Sequence, residues 1–143
     1  MTGTTARRAR LLRLRAIEHR IAKAKLARAD ATLVNLERIA GRIAALKNGL
    51  GAGVGGTSGM ALKSMTEMSI RLDAARSGMT APMTEAEARR AEFNALRITA
   101  QQKEDSAAKL HNKAATSEAS ARDLRADANR PYRKRNAFLE TRA

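Results

Sequence analysis

Half of the apolar residues in this chain are alanine, and that limits what it can build. Of 143 residues, 31 are alanine, 14 leucine, 6 isoleucine and 6 methionine, and only Phe93, Tyr132 and Phe138 are aromatic. Alanine methyls remove little area from water, so this stock cannot fill the thick interior of a globular enzyme. It can fill a thin seam between long helices. Valine is limited to Val34 and Val54, while Ala, Leu, Arg, Lys and Glu abound, which favours helix over sheet. Doubly wound, barrel and sandwich folds are excluded on that ground. The expected class is all-α, in a single domain over residues 1–143.

Charge is the second constraint. The net charge is +14 and the pI about 11.4. Residues 1–48 hold 12 Lys/Arg against Glu18, Asp30 and Glu37, and the stretch Arg7 to Arg28 holds nine bases against Glu18 alone. Such a field attracts something acidic: a nucleic acid, an anionic membrane or an acidic protein surface. Without cysteine there is no disulfide framework and no thiolate metal site. The longest uncharged stretch, Asn48 to Leu62, is rich in glycine and too short to span a bilayer. Met1 to Arg15 is rich in arginine and poor in acid, like a transit peptide. Its amphipathic pattern continues without a break, so it reads as the start of a helix.

Residues 6–48 contain no proline and only Gly41, and they carry a helical stripe. Leu11, Leu14, Ile17, Ile21 and Ala24 recur 22 residues later as Leu33, Leu36, Ile39, Ile43 and Leu46. At roughly 3.67 residues per turn that repeat closes after six turns, which puts both stripes on one face. A buried stripe of this length predicts a partner helix. Residues 48–59, NGLGAGVGGTSG, form a glycine-rich linker. A second helix is predicted over 60–77, with Ala61, Met65, Met68, Leu72, Ala75 and Met79 on one side. Pro82 biases Ala81 away from the helical region, which predicts a turn at 78–83. Thr84 and Glu87 stand at capping-box spacing, opening a third helix over 84–142. Its seam reads Phe93, Leu96, Ala100, Lys103, Ala107, Leu110, Ala114, Ser117, Ala121, Leu124 and Ala128, a heptad that predicts a left-handed supercoil with a partner.

The helical segments before and after residues 78–83 are nearly equal in length. The predicted architecture is therefore a long antiparallel two-arm coiled-coil hairpin with its tip at 78–83, its first arm interrupted by a glycine-rich bulge. Each arm would be about 85–90 Å long. The alternative turns at the glycine stretch and packs three unequal helices. In the hairpin, Arg7 to Arg20 would meet Arg130 to Arg142 at one end of a rod.

Few motifs suggest chemistry. Gly51, Gly53 and Gly56 satisfy the spacing of a dinucleotide loop, but a helix precedes them where a strand is required. Thr57 stands where a phosphate loop needs lysine. His19 and His111 are far apart and read as exposed or helix-edge residues, and Glu104-Asp105 reads as part of a solvated helix face. No arrangement supports catalysis, a cofactor or a metal. Met60, Met65, Met68, Met79 and Met83 cluster. They suit either a seam near the tip or an adaptable docking surface. The basic run lacks interleaved aromatics for stacking on bases, which favours an acidic protein partner over specific nucleic-acid binding.

The segment ARRARLLRLRAIEHRIAKAKLARADATLVNLERIA resembles the opening helix of the FliJ/YscO type, central-stalk proteins of flagellar and virulence type III export. The closing DANRPYRKRNAFLETRA resembles that family's basic last helix. The resemblance implies a cytoplasmic, non-enzymatic coiled-coil stalk. Its end bearing both termini would enter the pore of a hexameric export ATPase and link it to the cytoplasmic domain of the export gate. Some members also bind substrate chaperones. It implies that Arg7, Arg8, Arg10, Arg13, Arg130, Arg133, Lys134 and Arg135 face the ATPase. Met65, Met68 and Met79 would meet gate or chaperone. Contact with the inner membrane would come only through partners. Two other readings of the residues stay open: a basic helical nucleic-acid-binding protein, and an oligomerising scaffold or organellar stalk subunit whose seams close between chains.

Overall fold

A computed structural model describes residues 3–51 and 58–129. Nearly all of them are helical, in three elements: α1 (Gly3–Gly51), α2 (Gly59–Gly78) and α3 (Thr80–Ala128). Among the described residues there is no strand.

Only Met79 separates α2 from α3, and no reversal of the chain occurs there. Its φ of −81° and ψ of −16° are helical values. Its N–H bonds back to the carbonyl of Arg76 at 3.1 Å, and its own carbonyl accepts from the N–H of Met83 at 3.1 Å. Pro82 is the third residue of α3, where a missing N–H is tolerated. It leaves the Gly78 carbonyl without its usual helical donor, and the chain tightens by one residue at Met79 instead of reversing. The turn expected at 78–83 is therefore replaced by helix. Thr84 does not cap anything: it lies inside α3, and its hydroxyl donates to the Thr80 carbonyl at 2.9 Å. The side-chain cap found in the structure is at Ser58, whose Oγ accepts from the Ala61 N–H at 3.4 Å as α2 begins.

The chain instead doubles back between Gly51 and Ser58. Partners across the molecule occur in opposite order along the sequence: Arg8 meets Leu110, His19 meets Glu104, Asp30 meets Arg90, and Lys47 meets Asp73. The arms are consequently unequal. The 49 residues of α1 extend about 73 Å at 1.5 Å per residue, and α2 with α3 about 105 Å. The bulge expected in the first arm falls on the glycine stretch. Residues 52–57 of that stretch lie outside the described ones.

The face that each arm covers is a second departure. On α1 the shielded positions repeat every seven residues as Thr5, Leu12, His19, Leu26, Leu33, Ala40 and Lys47. A second file at the same interval runs Ala22, Ala29, Leu36, Ile43 and Leu50. Opposite them lie Met65, Leu72, Met79, Ala86, Phe93, Ala100, Ala107 and Ala114, a file that passes through Met79 without a change of phase. Its companion file is largely polar, with Arg97, Glu104, His111 and Glu118. Leu96, Lys103, Leu110 and Ser117, expected in the seam, each precede one of those four and are exposed. Of the two stripes on α1, only the second contributes to the seam. Leu33 is 7% exposed, whereas its counterpart Leu11 is 39% exposed, and Leu14, Ile17 and Ile21 are each about half exposed.

Candidate functional site

The start of α1 lies against the last third of α3. The Arg8 guanidinium donates to the Leu110 carbonyl at 3.0 Å, which fixes the register at this end. Arg7, Arg10 and Arg13 are exposed, so three of the four basic residues expected here face solvent and the fourth is committed to the other arm. Arg15 pairs with Glu18 at 2.7 Å, so the one carboxylate of this stretch is already engaged. Arg130, Arg133, Lys134 and Arg135 lie outside the described residues.

Because α3 continues beyond the level of Gly3, it contributes bases of its own to the same end. Thr4, Arg8, Lys113, Glu118, Arg122 and Arg125 line one open cleft there. Arg122 pairs with Glu118 at 2.5 Å, while Lys113 and Arg125 project into solvent. These α3 bases were not apparent from local charge density. They emerge only from the pairing of the arms, which sets residues about 100 apart in sequence beside one another.

The methionines are not gathered at the tip. Reversal at the glycine stretch puts Met60 nearest to it, and Met60 is largely exposed. Met79 lies some 20 residues further along the second arm, roughly 30 Å away. Met65, Met79 and Met83 are half-covered seam residues, which is the packing use of methionine. Of the three proposed for partner contact, only Met68 is exposed.

Both histidines belong to the seam, not to a helix edge. His19 Nδ1 lies 2.6 Å from Glu104 Oε2, a contact between side chains 18% and 30% exposed. His19 Nε2 and His111 Nδ1 are buried without a hydrogen-bond partner. Glu104 is thus a cross-arm partner, not part of a solvated face. Polar layers of this kind are costly unless paired, and they weaken the seam where they occur. Among the described residues, no group of three or more His, Asp or Glu side chains is placed to hold a metal ion. No described helix is long and apolar enough to cross a membrane.

This end of the molecule exposes Arg7, Arg10, Arg13, Lys113 and Arg125. Comparison of the chain with protein families, with curated proteins and with solved structures finds no match.

Proposed function

We propose that this chain is a non-enzymatic stalk and adaptor of a type III protein export apparatus, flagellar or virulence, and that its paired arms wind as an antiparallel coiled coil. Its basic end enters the ring of a hexameric export ATPase. The remainder reaches the cytoplasmic domain of the export gate and, in a subset of assemblies, substrate chaperones. On this reading the protein works in the cytoplasm, against the inner face of the membrane when assembled, and holds no cofactor.

One observation carries the reading. The first turns of α1 and the last turns of α3 share one end, and Arg7, Arg10, Arg13, Lys113 and Arg125 are exposed there. Positive charge at the end of a narrow rod complements an acidic pore lining. The seven-residue spacing of the covered positions supports the coiled-coil geometry. The texture of the opening helix supports the family.

The test is a pull-down with the cognate export ATPase at two ionic strengths. Replacing Arg7, Arg10 and Arg13 with Glu should abolish the salt-sensitive part of binding, because contacts at exposed charges are screened over about 8 Å at physiological salt. Arg8 is left in place, since it holds the arms together. Undiminished binding of the triple variant would contradict the assignment. The net charge of +14 also favours a nucleic-acid partner. A gel-shift titration separates the two readings: binding to nucleic acid that persists above physiological salt supports the second, since a purely electrostatic interaction collapses there.

A further inference from the structure

One flank of the rod gathers exposed large apolar side chains from both arms. Beside the polar half of the seam, α1 turns Leu11, Leu14 and Ile21 outward, and α3 turns out Leu96 and Leu110. These two sets are neighbours. Leu11 and Leu110 line one shallow groove between the arms, and Ile21 and Leu96 line the next one along, with Lys103 common to both. Leu11 to Ile21 is about 15 Å of helix and Leu96 to Leu110 about 21 Å, so together they frame a strip roughly four turns long, crossed by Thr99, Lys103 and Ser106. An exposed strip of this kind, rimmed by polar residues, marks an interaction surface more often than a packing accident.

The seam beneath strengthens the case. Along the same turns the covered positions include Arg8, Arg15, His19, Glu104 and His111 beside Leu12, Ala22, Ala100 and Ala107, while Leu11, Leu14, Leu96 and Leu110 stand just off the seam. Most of the large apolar side chains of these turns are thus on the outside, while alanine and polar residues fill much of the inside. Such a reversal of the usual pattern is expected where function rather than folding sets the residues.

We propose that this flank receives a third helix, an acidic amphipathic helix of a partner protein, laid lengthwise in the groove between α1 and α3. Charge selects that occupant. Glu18 is taken up by Arg15, whereas Lys25 and Lys103 line the groove and have no ion pair among the described residues. A second copy of this chain would bring the same basic rim against itself, and its net charge of +14 opposes the approach. A helix with Leu or Ile on one face and Glu or Asp on its shoulders satisfies both the strip and the lysines. This inference does not depend on the export reading. It concerns the flank and not the end of the rod, and it can fail while that reading stands.

The experiment uses the full chain and two designed helical peptides of about 18 residues, four to five turns long. Both carry leucine on one face, and their flanking positions are all Glu in one peptide and all Lys in the other. Binding is followed by fluorescence anisotropy at physiological salt. The Glu peptide should bind saturably and the Lys peptide should not. The double substitution Ile21→Glu with Leu110→Glu, one residue from each groove, should weaken binding by at least about tenfold, the loss expected when central apolar anchors are removed. Val34→Glu, at an exposed position lining neither groove, should leave it unchanged. Circular dichroism and thermal unfolding of the variants report whether the fold is kept, and these substitutions replace half-exposed side chains. Equal binding of both peptides, or indifference to the double substitution, would overturn the proposal. So would a wild-type dimer in sedimentation that the double substitution dissociates, since the strip would then belong to a second copy. Capture on phosphatidylglycerol vesicles, lost in the same variant and without peptide binding, would assign it to a membrane surface and overturn it too.

Discussion

The two halves of α1 carry the same apolar pattern, yet the structure treats them oppositely. Leu33, Leu36 and Ile43 pack against the second arm, while their counterparts 22 residues earlier, Leu11, Leu14 and Ile21, face solvent. The reason is arithmetic. A repeat of 22 residues nearly closes on a straight helix, but two helices packed along their whole length obey a repeat of seven. Three sevens are 21, so the second stripe sits one position further round than the first, about 100°. The seam can hold only one of them. It holds the C-terminal stripe, where Leu26, Leu33, Ile43 and Leu50 face Met65, Leu72, Met79 and Phe93 across the arms. In the N-terminal half Leu12 is joined by threonine, arginine, histidine and alanine. One half is built for cohesion and the other presents its leucines to something else.

Matched substitutions test that contrast directly. Leu33→Ala should cost the most, about 2–3 kcal/mol, since a buried leucine loses its transfer energy and leaves a cavity. Leu11→Ala, the same change at the counterpart position, should cost under about 1 kcal/mol. Urea unfolding of the two variants measures the difference, and equal losses would dissolve the distinction between the halves. Glu104→Ala comes next. It removes the only hydrogen-bond partner of the His19 ring among the described residues and should destabilise by about 1–2 kcal/mol, because neither ring nitrogen is then satisfied there. Glu85→Ala breaks an exposed pair with Arg89 and should change stability by less than about 0.5 kcal/mol in the same assay. One further substitution should be a gain. Gly41 lies within α1, and an added Cβ would meet nothing within 4 Å, so Gly41→Ala should raise stability by about 0.5–1 kcal/mol.

The helical class of this molecule was legible in its alanine content and its long segments free of proline. The pairing was only half legible. Phe93, Ala100, Ala107 and Ala114 are visible as a heptad file because all four are apolar, and they do line the seam. The companion file was assigned to Leu96, Lys103, Leu110 and Ser117, one place early, because leucine is the expected seam residue and Arg97, Glu104, His111 and Glu118 are not. No apolar pattern can reveal a polar seam. The reversal point was missed for a similar reason. Gly78 and Pro82 look like a break, yet a proline in the first turn of a helix costs little, and the seam on either side of Met79 keeps its phase. The basic end was legible on α1, where nine bases crowd between Arg7 and Arg28. Its α3 component was not, since Lys113 and Arg125 stand among acids in the sequence and join the cluster only through the fold.

The central claim is that α1 folds back onto one continuous second arm. The native chain has no cysteine, so a pair of spin labels can be introduced without interference. With Lys63→Cys on α2 and Asn94→Cys on α3, both exposed, double electron–electron resonance should give a distance of about 46 Å, the length of 31 residues of unbroken helix. A reversal at residues 78–83 would bring the two labels side by side, and a distribution centred below about 20 Å would contradict the account.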